Sequence, residues 1–170
     1  MLEIMSRRRS IRKFTPEPVP EASVEALLDA GLLAPSGRNA RPVEFFVVRD
    51  KATIERLADC REGHSGAALK TASLAIVVTA RPEKSDIWAV DASIAATHIL
   101  LQAEVLHLGC CWVQVMNRRC GPEMTEGAVR KILNIPADLS ILCMIAVGQP
   151  DEAKEPHVLE GLDRSKVHYL

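Results

Sequence analysis

Residues 74–79, Leu-Ala-Ile-Val-Val-Thr, are the stretch of this sequence that decides its fold. The stretch carries no charge and is rich in β-branched side chains, so it predicts a strand. Because apolar residues occupy consecutive positions, both faces of that strand should be covered. The sequence therefore predicts a sheet that lies between two layers of helices.

Elements on either side of this strand complete the predicted sheet and its cover. Apolar runs at residues 44–48, 111–116 and 139–147 predict three more strands. Apolar residues at helical spacing, separated by turn residues, predict the helices. These helices are expected at residues 3–9, 21–33, 51–60, 66–72, 86–108 and 122–133. Helices and strands do not alternate strictly, which favours an α+β fold.

The helix expected at residues 86–108 is the longest, at roughly 34 Å. Its sequence is apolar nearly all round, which predicts either a central core element or a subunit interface. Asp91, His98, Gln102 and Glu104 interrupt the apolar residues. Because the uninterrupted apolar stretch is too short, this helix is not expected to span a membrane.

The composition is that of one ordinary globular domain, expected to cover residues 1–170. With 21 basic and 22 acidic residues the net charge is −1, which argues against a general nucleic-acid binder. The five cysteines are odd in number and irregularly spaced, so no disulfide framework is expected. They include no Cys-x-x-Cys pair, so no zinc or iron–sulfur site is expected. Cys110 and Cys111 lie in an apolar run and are expected in the core. Free thiols and the lack of a targeting signal suggest the cytoplasm.

A basic segment, residues 8–14 (Arg-Arg-Ser-Ile-Arg-Lys-Phe), is the first candidate for a binding site. Arg8 and Arg12 are four positions apart and would share a helix face if the helix at residues 3–9 continued. Arginine makes planar, bidentate contacts with phosphate, and Ser10 adds a hydroxyl donor. The alternatives are a solvated basic surface or an arm that binds nucleic acid.

A polar loop, residues 34–42, follows the second predicted helix and is the other candidate. Its Pro35, Ser36, Gly37 and Asn39 are common turn residues, so a plain turn with capping chemistry is one interpretation. Asn39 also offers both a donor and an acceptor, which suits the uracil-like edge of a flavin. Taken with the cations of the basic segment, the loop is interpreted as half of a flavin mononucleotide (FMN) site.

Together these features resemble the nitroreductase family of FMN-dependent oxidoreductases. The resemblance rests on residues 8–14, on residues 34–42 before a Phe-Phe-Val-Val strand, and on the Asp91 helix that leads into Leu-Gly-Cys-Cys-Trp at 108–112. Gly-Gln-Pro at 148–150 and Val-His-Tyr at 167–169 also match. The resemblance implies a mostly antiparallel sheet of four to five strands, covered by helices on both faces, with a long buried central helix.

The resemblance also implies a homodimer with two FMN sites at the subunit interface. One subunit would hold the phosphate, ribityl chain and pyrimidine end of a flavin through Arg8, Arg9, Ser10 and Arg12. The other cofactor-binding residues implied are Pro35, Ser36, Gly37, Asn39, Gln114 and Val115. Ser36 and Asn39 would reach the same flavin from the other subunit, and the backbone near Gln114 and Val115 would lie close to the flavin ring.

Several positions depart from the family pattern. Gly37 stands where a second serine is common, Arg41 where glutamine is usual, and Val43 where an aromatic residue is usual. A carboxy-terminal arginine that commonly helps to bind phosphate is missing. The candidates to replace it are Lys154, Arg164 and Lys166. These departures bear on cofactor affinity and substrate choice more than on the fold.

The function implied is an FMN-dependent oxidoreductase that uses NADH or NADPH to reduce small electrophilic acceptors: nitroaromatics, quinones or an unknown metabolite. A cation such as Arg12 near the N1/O2 edge of the flavin would stabilise its anionic reduced form. No side chain need act as an essential acid or base, and neither a nucleic acid nor a membrane is expected as a partner. Two other interpretations stay open: a flavin storage or regulatory protein, and a basic-arm protein that binds nucleic acid.

Overall fold

The computed structural model describes residues 1–61 and 64–170, with a four-stranded antiparallel sheet at its centre. The strands in this part of the chain are β1 (Val43–Val48), β2 (Leu74–Ala80), β3 (Gly109–Gln114), β4 (Arg119–Cys120), β5 (Glu123–Met124) and β6 (Ser140–Gly148). The central sheet has the order β1-β2-β6-β3, and every neighbouring pair is antiparallel. β4 and β5 pair separately as a short hairpin. The run at residues 74–79 thus lies in an interior strand, as its composition predicts.

Six α-helices surround the sheet in the described residues. They are α1 (Leu2–Arg7), α2 (Glu21–Leu32), α3 (Lys51–Asp59), α4 (His64–Thr71), α5 (Trp88–Val105) and α6 (Thr125–Leu133). Single-turn 3₁₀ helices at Gly37–Asn39, Leu159–Gly161 and Arg164–Lys166 complete the regular structure. None of the helices in the described ranges has the length and apolarity that crossing a bilayer requires.

Side chains alternate between the two faces of the sheet, and helices bury both faces. Val77, Met144 and Val113 are register partners across β2, β6 and β3, and all three point to the face that α3, α4 and α6 cover. The neighbouring positions Ile76 and Ile145 point to the opposite face, where α2 and α5 pack. The α+β architecture with a helical layer on each side is therefore confirmed.

The long helix α5 lies on the sheet through a face made mostly of small residues. Ala92, Ala95, Ala96 and Ala103 are buried there together with Ile99. Alanines bring the helix axis close to the sheet because no long side chain separates them. The predicted long helix is confirmed; its sheet-facing side is buried, whereas Val90 and Val105 on its outer side are exposed.

Two predicted boundaries of these elements are wrong for identifiable reasons. α5 ends at Val105 rather than 108, because His107 adopts a left-handed φ of 56° and turns the chain into β3. Residues 122–124 are not helical, because Gly121 at φ 57° closes the β4–β5 hairpin and α6 begins only at Thr125. Both are turns that apolar periodicity does not reveal.

The first helix also ends earlier than predicted. α1 stops at Arg7, and Arg8 has an extended ψ of 119°. Arg8 and Arg12 therefore do not share a helix face, and this expectation is wrong. The physical reason is that the chain beyond Arg8 pairs with the sheet instead of continuing the helix: Ser10 forms a parallel bridge with Cys110.

Candidate functional site

The basic segment, residues 8–14, runs along the edge where β3 and the end of β6 meet. Ile11 N–H donates to the carbonyl of Cys110 at 2.9 Å. Farther along, Lys13 accepts a hydrogen bond from Asp151 N–H at 2.9 Å, and Phe14 forms an antiparallel bridge with Pro150. Backbone pairing thus fixes the direction of the segment and the positions of its cations.

A cross-strand pair of glycines makes room for this segment. Gly109 and Gly148 are register partners on β3 and β6. A Cβ atom on Gly109 would lie 2.8 Å from Ile11 Cγ2, and one on Gly148 would lie 3.0 Å from Phe14 Cβ. Phe14, which is 5% exposed, occupies the space that the two missing side chains leave. The Phe14 ring therefore anchors the basic segment to the sheet.

Three cations converge around Ser10. Arg12 Nη1 donates to the Ser10 carbonyl at 3.2 Å, and Lys154 Nζ donates to the same oxygen. Arg9 Nη1 donates to the Glu155 carbonyl. Arg12 Nε is buried and has no hydrogen-bond partner among the described residues. A buried N–H without an acceptor is costly, so this edge of the Arg12 guanidinium is suited to receive an anionic or carbonyl oxygen.

Glu152 is the carboxylate of this cluster. Its Oε1 accepts the Arg12 backbone N–H at 2.5 Å and lies 3.3 Å from Lys154 Nζ. The hydrogen bond from Arg12 N–H, followed by that from Lys154, lowers the pKa of Glu152 below its ordinary value of 4.5. Glu152 thus holds Lys154 beside the basic segment.

Of the three candidates for the missing phosphate-binding arginine, only Lys154 lies in this cluster. Arg164 and Lys166 belong to an exposed 3₁₀ turn near the end of the chain. Lys166 Nζ is 3.6 Å from Asp163 Oδ2 in that turn. The structure therefore distinguishes Lys154 from the other two by position.

The cysteines beneath the segment are core residues, as predicted. Cys110 and Cys111 are buried, and both are free thiols. Burial raises the pKa of Cys110 to about 12, and burial also raises the pKa of Cys111 although the charges of Arg12 and Lys154 oppose it. These thiols are therefore protonated at neutral pH and unsuited to nucleophilic chemistry.

The polar loop, residues 34–42, is anchored by two side chains. Asp91, on the first turn of α5 and 1% exposed, accepts the Gly37 N–H at 2.8 Å and the Ser85 hydroxyl at 2.6 Å. Ser36 Oγ accepts the Arg41 N–H at 2.9 Å. With these acceptors in place, the loop holds a fixed shape at the amino end of α5.

Three residues of this loop adopt left-handed backbone conformations. The φ angles are 53° at Arg38, 55° at Asn39 and 46° at Arg41. Non-glycine residues with such angles are uncommon, and those at binding sites are held by their surroundings. Here Arg41 Nε donates to Asn39 Oδ1 at 3.0 Å, which leaves the Asn39 amide NH₂ as the outward donor.

A cavity of about 340 Å³ opens beside the loop. Its lining includes Pro35 and Ser36 from the loop and Phe45 from β1. The turn prediction for residues 34–42 is confirmed, and the loop also forms one wall of this cavity.

The two candidate groups lie at opposite ends of α5 within one chain. Gly37 is bonded to Asp91 at the amino end, while Arg7 Nε, next to the basic segment, donates to Glu104 near the carboxyl end at 3.1 Å. Asp91 and Glu104 are thirteen helical residues apart, or about 20 Å along the axis. A single chain therefore does not bring the two groups together.

Gln114 is the last residue of β3 and Val115 follows it, at the opposite end of that strand from the basic segment. Gln114 is four residues from Cys110, or roughly 13 Å along the strand. Its side chain accepts from Trp112 Nε1 at 2.8 Å and donates to the Met116 carbonyl at 3.0 Å. Val115 is buried, and its N–H donates to the Leu142 carbonyl at 3.1 Å. The Gln114 side chain and the Val115 N–H thus both have hydrogen-bond partners within the chain.

Comparison with known proteins decides the family. The sequence model described as the Nitroreductase family matches residues 5–64 and 60–149. The chain belongs to the nitroreductase family. Among curated relatives of this chain, a protein of Archaeoglobus fulgidus with the provisional name NADH dehydrogenase/NAD(P)H nitroreductase is 34% identical over 158 residues, or 91% of this chain and 87% of that protein.

Solved nitroreductase structures share the fold. An FMN-dependent nitroreductase from Clostridium difficile R20291 has a TM-score of 0.96 and 42% identity, covering 99% of this chain and 98% of that one. A protein of Desulfovibrio desulfuricans, provisionally named a nitroreductase and solved in complex with FMN, has a TM-score of 0.75 and 29% identity over 94% of this chain and 92% of that one. The predicted resemblance is confirmed.

The sequence alone does not reveal the anchoring roles of Asp91 and Glu152. The position of Asp91 could have predicted its role, because a carboxylate in the first turn of a buried, otherwise apolar helix needs hydrogen-bond donors. Glu152 carried no such signal, since its partners Arg12 and Lys154 come from distant or unpatterned segments of the sequence.

Proposed function

We propose that this chain, as one domain over residues 1–170, is an FMN-dependent oxidoreductase that uses NADH or NADPH to reduce small electrophilic acceptors such as nitroaromatics and quinones. The observation that carries the proposal is the similarity, over 99% of the chain, to an FMN-dependent nitroreductase. Five free cysteines support a cytoplasmic location as part of the same proposal.

The residues of the basic segment fit FMN. Among residues 1–61 and 64–170, buried Arg12 Nε has no acceptor, and the Arg8 side chain makes no hydrogen bond or ion pair. A phosphate and a flavin carbonyl would supply the acceptors that these guanidinium groups lack. Arg8, Arg9 and Ser10 would hold the phosphate and ribityl chain, Arg12 the pyrimidine end, and Lys154 would add its charge in place of the missing arginine.

The polar loop supports a site shared between two subunits. Within one chain, about 20 Å of α5 separates Asp91, which anchors the loop, from Glu104, which binds Arg7 next to the basic segment. A two-fold copy packed with its α5 antiparallel would place the loop of one subunit beside the basic segment of the other. Ser36 and Asn39, supported by Pro35 and Gly37, would then contact the same flavin, with the outward Asn39 NH₂ donating to a ring carbonyl.

The outer face of α5 supports the same dimer. Val90 and Val105 are 55% and 44% exposed, and Ile94 and Leu101 lie between them on that face. Two apolar cavities, of about 320 and 390 Å³, flank this face and share Leu101. An apolar stripe of this length on a helix is typical of a protein–protein interface. We propose that it is the contact between the two subunits.

Bound FMN would supply the redox chemistry, taking a hydride from NAD(P)H and passing two electrons to the acceptor. For a nitro group the balanced first step is R–NO₂ + NAD(P)H + H⁺ → R–NO + NAD(P)⁺ + H₂O. The role of this chain is to bind and orient FMN. Arg12 would place positive charge beside the edge of the ring that becomes anionic on reduction. The backbone near Gln114 and Val115 is proposed to lie close to the ring.

The first test is the spectrum of the purified protein saturated with FMN. We expect a bound flavin band that NADH or NADPH bleaches under anaerobic conditions and that a nitroaromatic or a quinone restores. A band that no nicotinamide bleaches would favour the storage or regulatory interpretation. A protein that takes up no FMN at saturation would contradict the proposal altogether.

A second test addresses the phosphate role of the basic segment. Arg8→Ala should lower FMN affinity by about tenfold or more, because it removes a charge-assisted contact. The melting temperature of the FMN-free protein should stay the same. The matched control is Arg164→Ala, which removes an arginine from the exposed 3₁₀ turn. Equal FMN affinity in the two variants would refute the role of Arg8.

A further inference from the structure

The cavity beside the polar loop combines apolar walls with a few polar groups. Leu32 at the end of α2, Val43 and Phe45 on β1, and Ala95 on α5 supply the apolar walls. Its volume of about 340 Å³ is at the low end of the range for small-molecule sites, which is about 300–1,000 Å³. The cavity therefore suits a small ligand with an apolar body.

Two of the charged groups in or near this cavity are already used within the fold. Asp91 is buried, and each of its carboxylate oxygens accepts a hydrogen bond, from Gly37 N–H and from the Ser85 hydroxyl. Arg38 Nη2 lies 2.7 Å from Asp86 Oδ1, so an exposed carboxylate faces its charge. Each of these two groups therefore has a partner within the chain.

Arg41 lines the cavity and differs from both. Its backbone N–H is bound to Ser36 Oγ at 2.9 Å, and its Nε is bound to Asn39 Oδ1 at 3.0 Å. The Asn39 amide is neutral, and none of the ion pairs among residues 1–61 and 64–170 includes Arg41. The guanidinium is thus held in place while its charge stays unneutralised.

We propose that this cavity is the acceptor subsite and that Arg41 selects anionic aromatic acceptors, those with a single flat ring and a carboxylate. The proposal rests on the proposed function, because the acceptor must lie beside the flavin that Ser36 and Asn39 contact. The apolar walls bury the ring. The Nη atoms of Arg41, which make no hydrogen bond within the described part of the chain, bind the carboxylate through charge-assisted hydrogen bonds.

The experiment compares 4-nitrobenzoate with 4-nitrobenzamide, which has nearly the same shape and no charge. Binding of each to the FMN-saturated, oxidised protein is measured by calorimetry, and kcat/KM is measured with NADH and NADPH. We expect the carboxylate to bind about fivefold more tightly than the amide, the size of one exposed charge pair. The ratio of kcat/KM should favour the carboxylate by a similar factor.

Variants of the two loop arginines identify the source of that preference. Arg41→Gln should reduce the ratio of affinities to about one, and Arg41→Lys should restore part of it because the charge returns. Arg38→Gln is the matched control: it removes an arginine with the same left-handed backbone from the same loop, but one that faces Asp86. It should leave the ratio as it is in the natural protein.

Failure of this inference is distinguishable from failure of the proposed function. Equal affinities for the two compounds, or a preference that persists in Arg41→Gln, would overturn the role of Arg41 while flavin reduction by NAD(P)H stays intact. If neither NADH nor NADPH bleaches the flavin of the loaded protein, the reductase proposal fails, and the calorimetric ratio still decides whether Arg41 selects anions.

Discussion

The basic segment and the polar loop each place polar groups at one end of α5, but they are held in place by different interactions. The basic segment is fixed by backbone hydrogen bonds to β3 and by Phe14 in a glycine-lined space. The polar loop is fixed by the side chains of Asp91 and Ser36. The first therefore depends on packing, and the second depends on a few polar contacts.

This difference predicts different sensitivities to mutation. Loss of packing should destabilise the whole fold, because Phe14 belongs to the main core cluster. Loss of a polar anchor should loosen the loop with a smaller loss of stability. Changes in the cations around Ser10 should leave stability nearly unaltered and alter only what binds there.

The largest effect is expected from Phe14→Ala. Truncation of this buried ring opens a cavity between β3, β6 and α4, and should lower the free energy of unfolding by about 3–5 kcal/mol. Denaturant unfolding measures this change. Phe14→Leu is the control that keeps most of the volume and should cost less than half as much. A loss under about 1 kcal/mol for the alanine variant would show that the segment is not anchored by packing.

Asp91→Ala is expected to have the next largest effect. It leaves the Gly37 N–H and the buried Ser85 hydroxyl without their acceptor, which should cost about 2–3 kcal/mol. Asp91→Asn keeps one acceptor and should cost less. Asp86→Ala removes a carboxylate whose side chain is 73% exposed and should change stability by about 1 kcal/mol at most. Similar losses in Asp91→Ala and Asp86→Ala would contradict the anchoring role.

Lys154→Ala tests the cations around Ser10 with little effect on the fold. If Lys154 contributes to phosphate binding, FMN affinity should fall about tenfold, since roughly 1.4 kcal/mol of charge-assisted binding is lost. Riboflavin, which has no phosphate, should bind as before. Lys166→Ala, in the exposed turn, serves as the control. An equal loss of FMN and riboflavin affinity would mean that Lys154 acts through structure alone.

The smallest effect concerns Glu152 and pH. Because the folded protein lowers the pKa of this carboxylate, its stabilising effect is present above the ordinary value of 4.5 and is lost as the pH falls below it. Glu152→Gln should therefore make the free energy of unfolding less dependent on pH between about 4.5 and 3. Glu160→Gln, at an exposed position, should leave that dependence unchanged. If the unfolding free energy of Glu152→Gln depended more steeply on pH, the folded protein would raise the pKa of Glu152 instead of lowering it.

Much of the fold follows from local patterns in the sequence. The strand at residues 74–79 and the helix near residues 88–105 are almost uniformly apolar, so the sequence alone predicts both elements. The basic segment could not be placed in the same way. Its helix-like spacing of arginines is overridden by pairing with Cys110 and Pro150, and contacts that distant in sequence leave no periodic signal.

The candidate site also contains residues that local sequence predicts and residues that it does not. Ser36, Gly37 and Asn39 form a loop, as turn chemistry predicts, and Arg12 and Ser10 lie in one cluster. The positions of Lys154 and Glu152 in that cluster required the three-dimensional path of the chain after β6. The contact of either group with FMN is a prediction of the proposed function.

The central claim is that one subunit supplies the basic segment and the other supplies the polar loop of each FMN site. A mixed dimer tests this directly. Arg8→Ala/Arg12→Ala and Ser36→Ala/Asn39→Ala variants are purified separately and then as a co-expressed heterodimer, and bound FMN is counted. We predict that each homodimer retains almost no FMN and that the heterodimer retains one FMN per dimer, because one of its two sites combines two intact halves. A heterodimer that binds no more FMN than its parents would contradict a shared site.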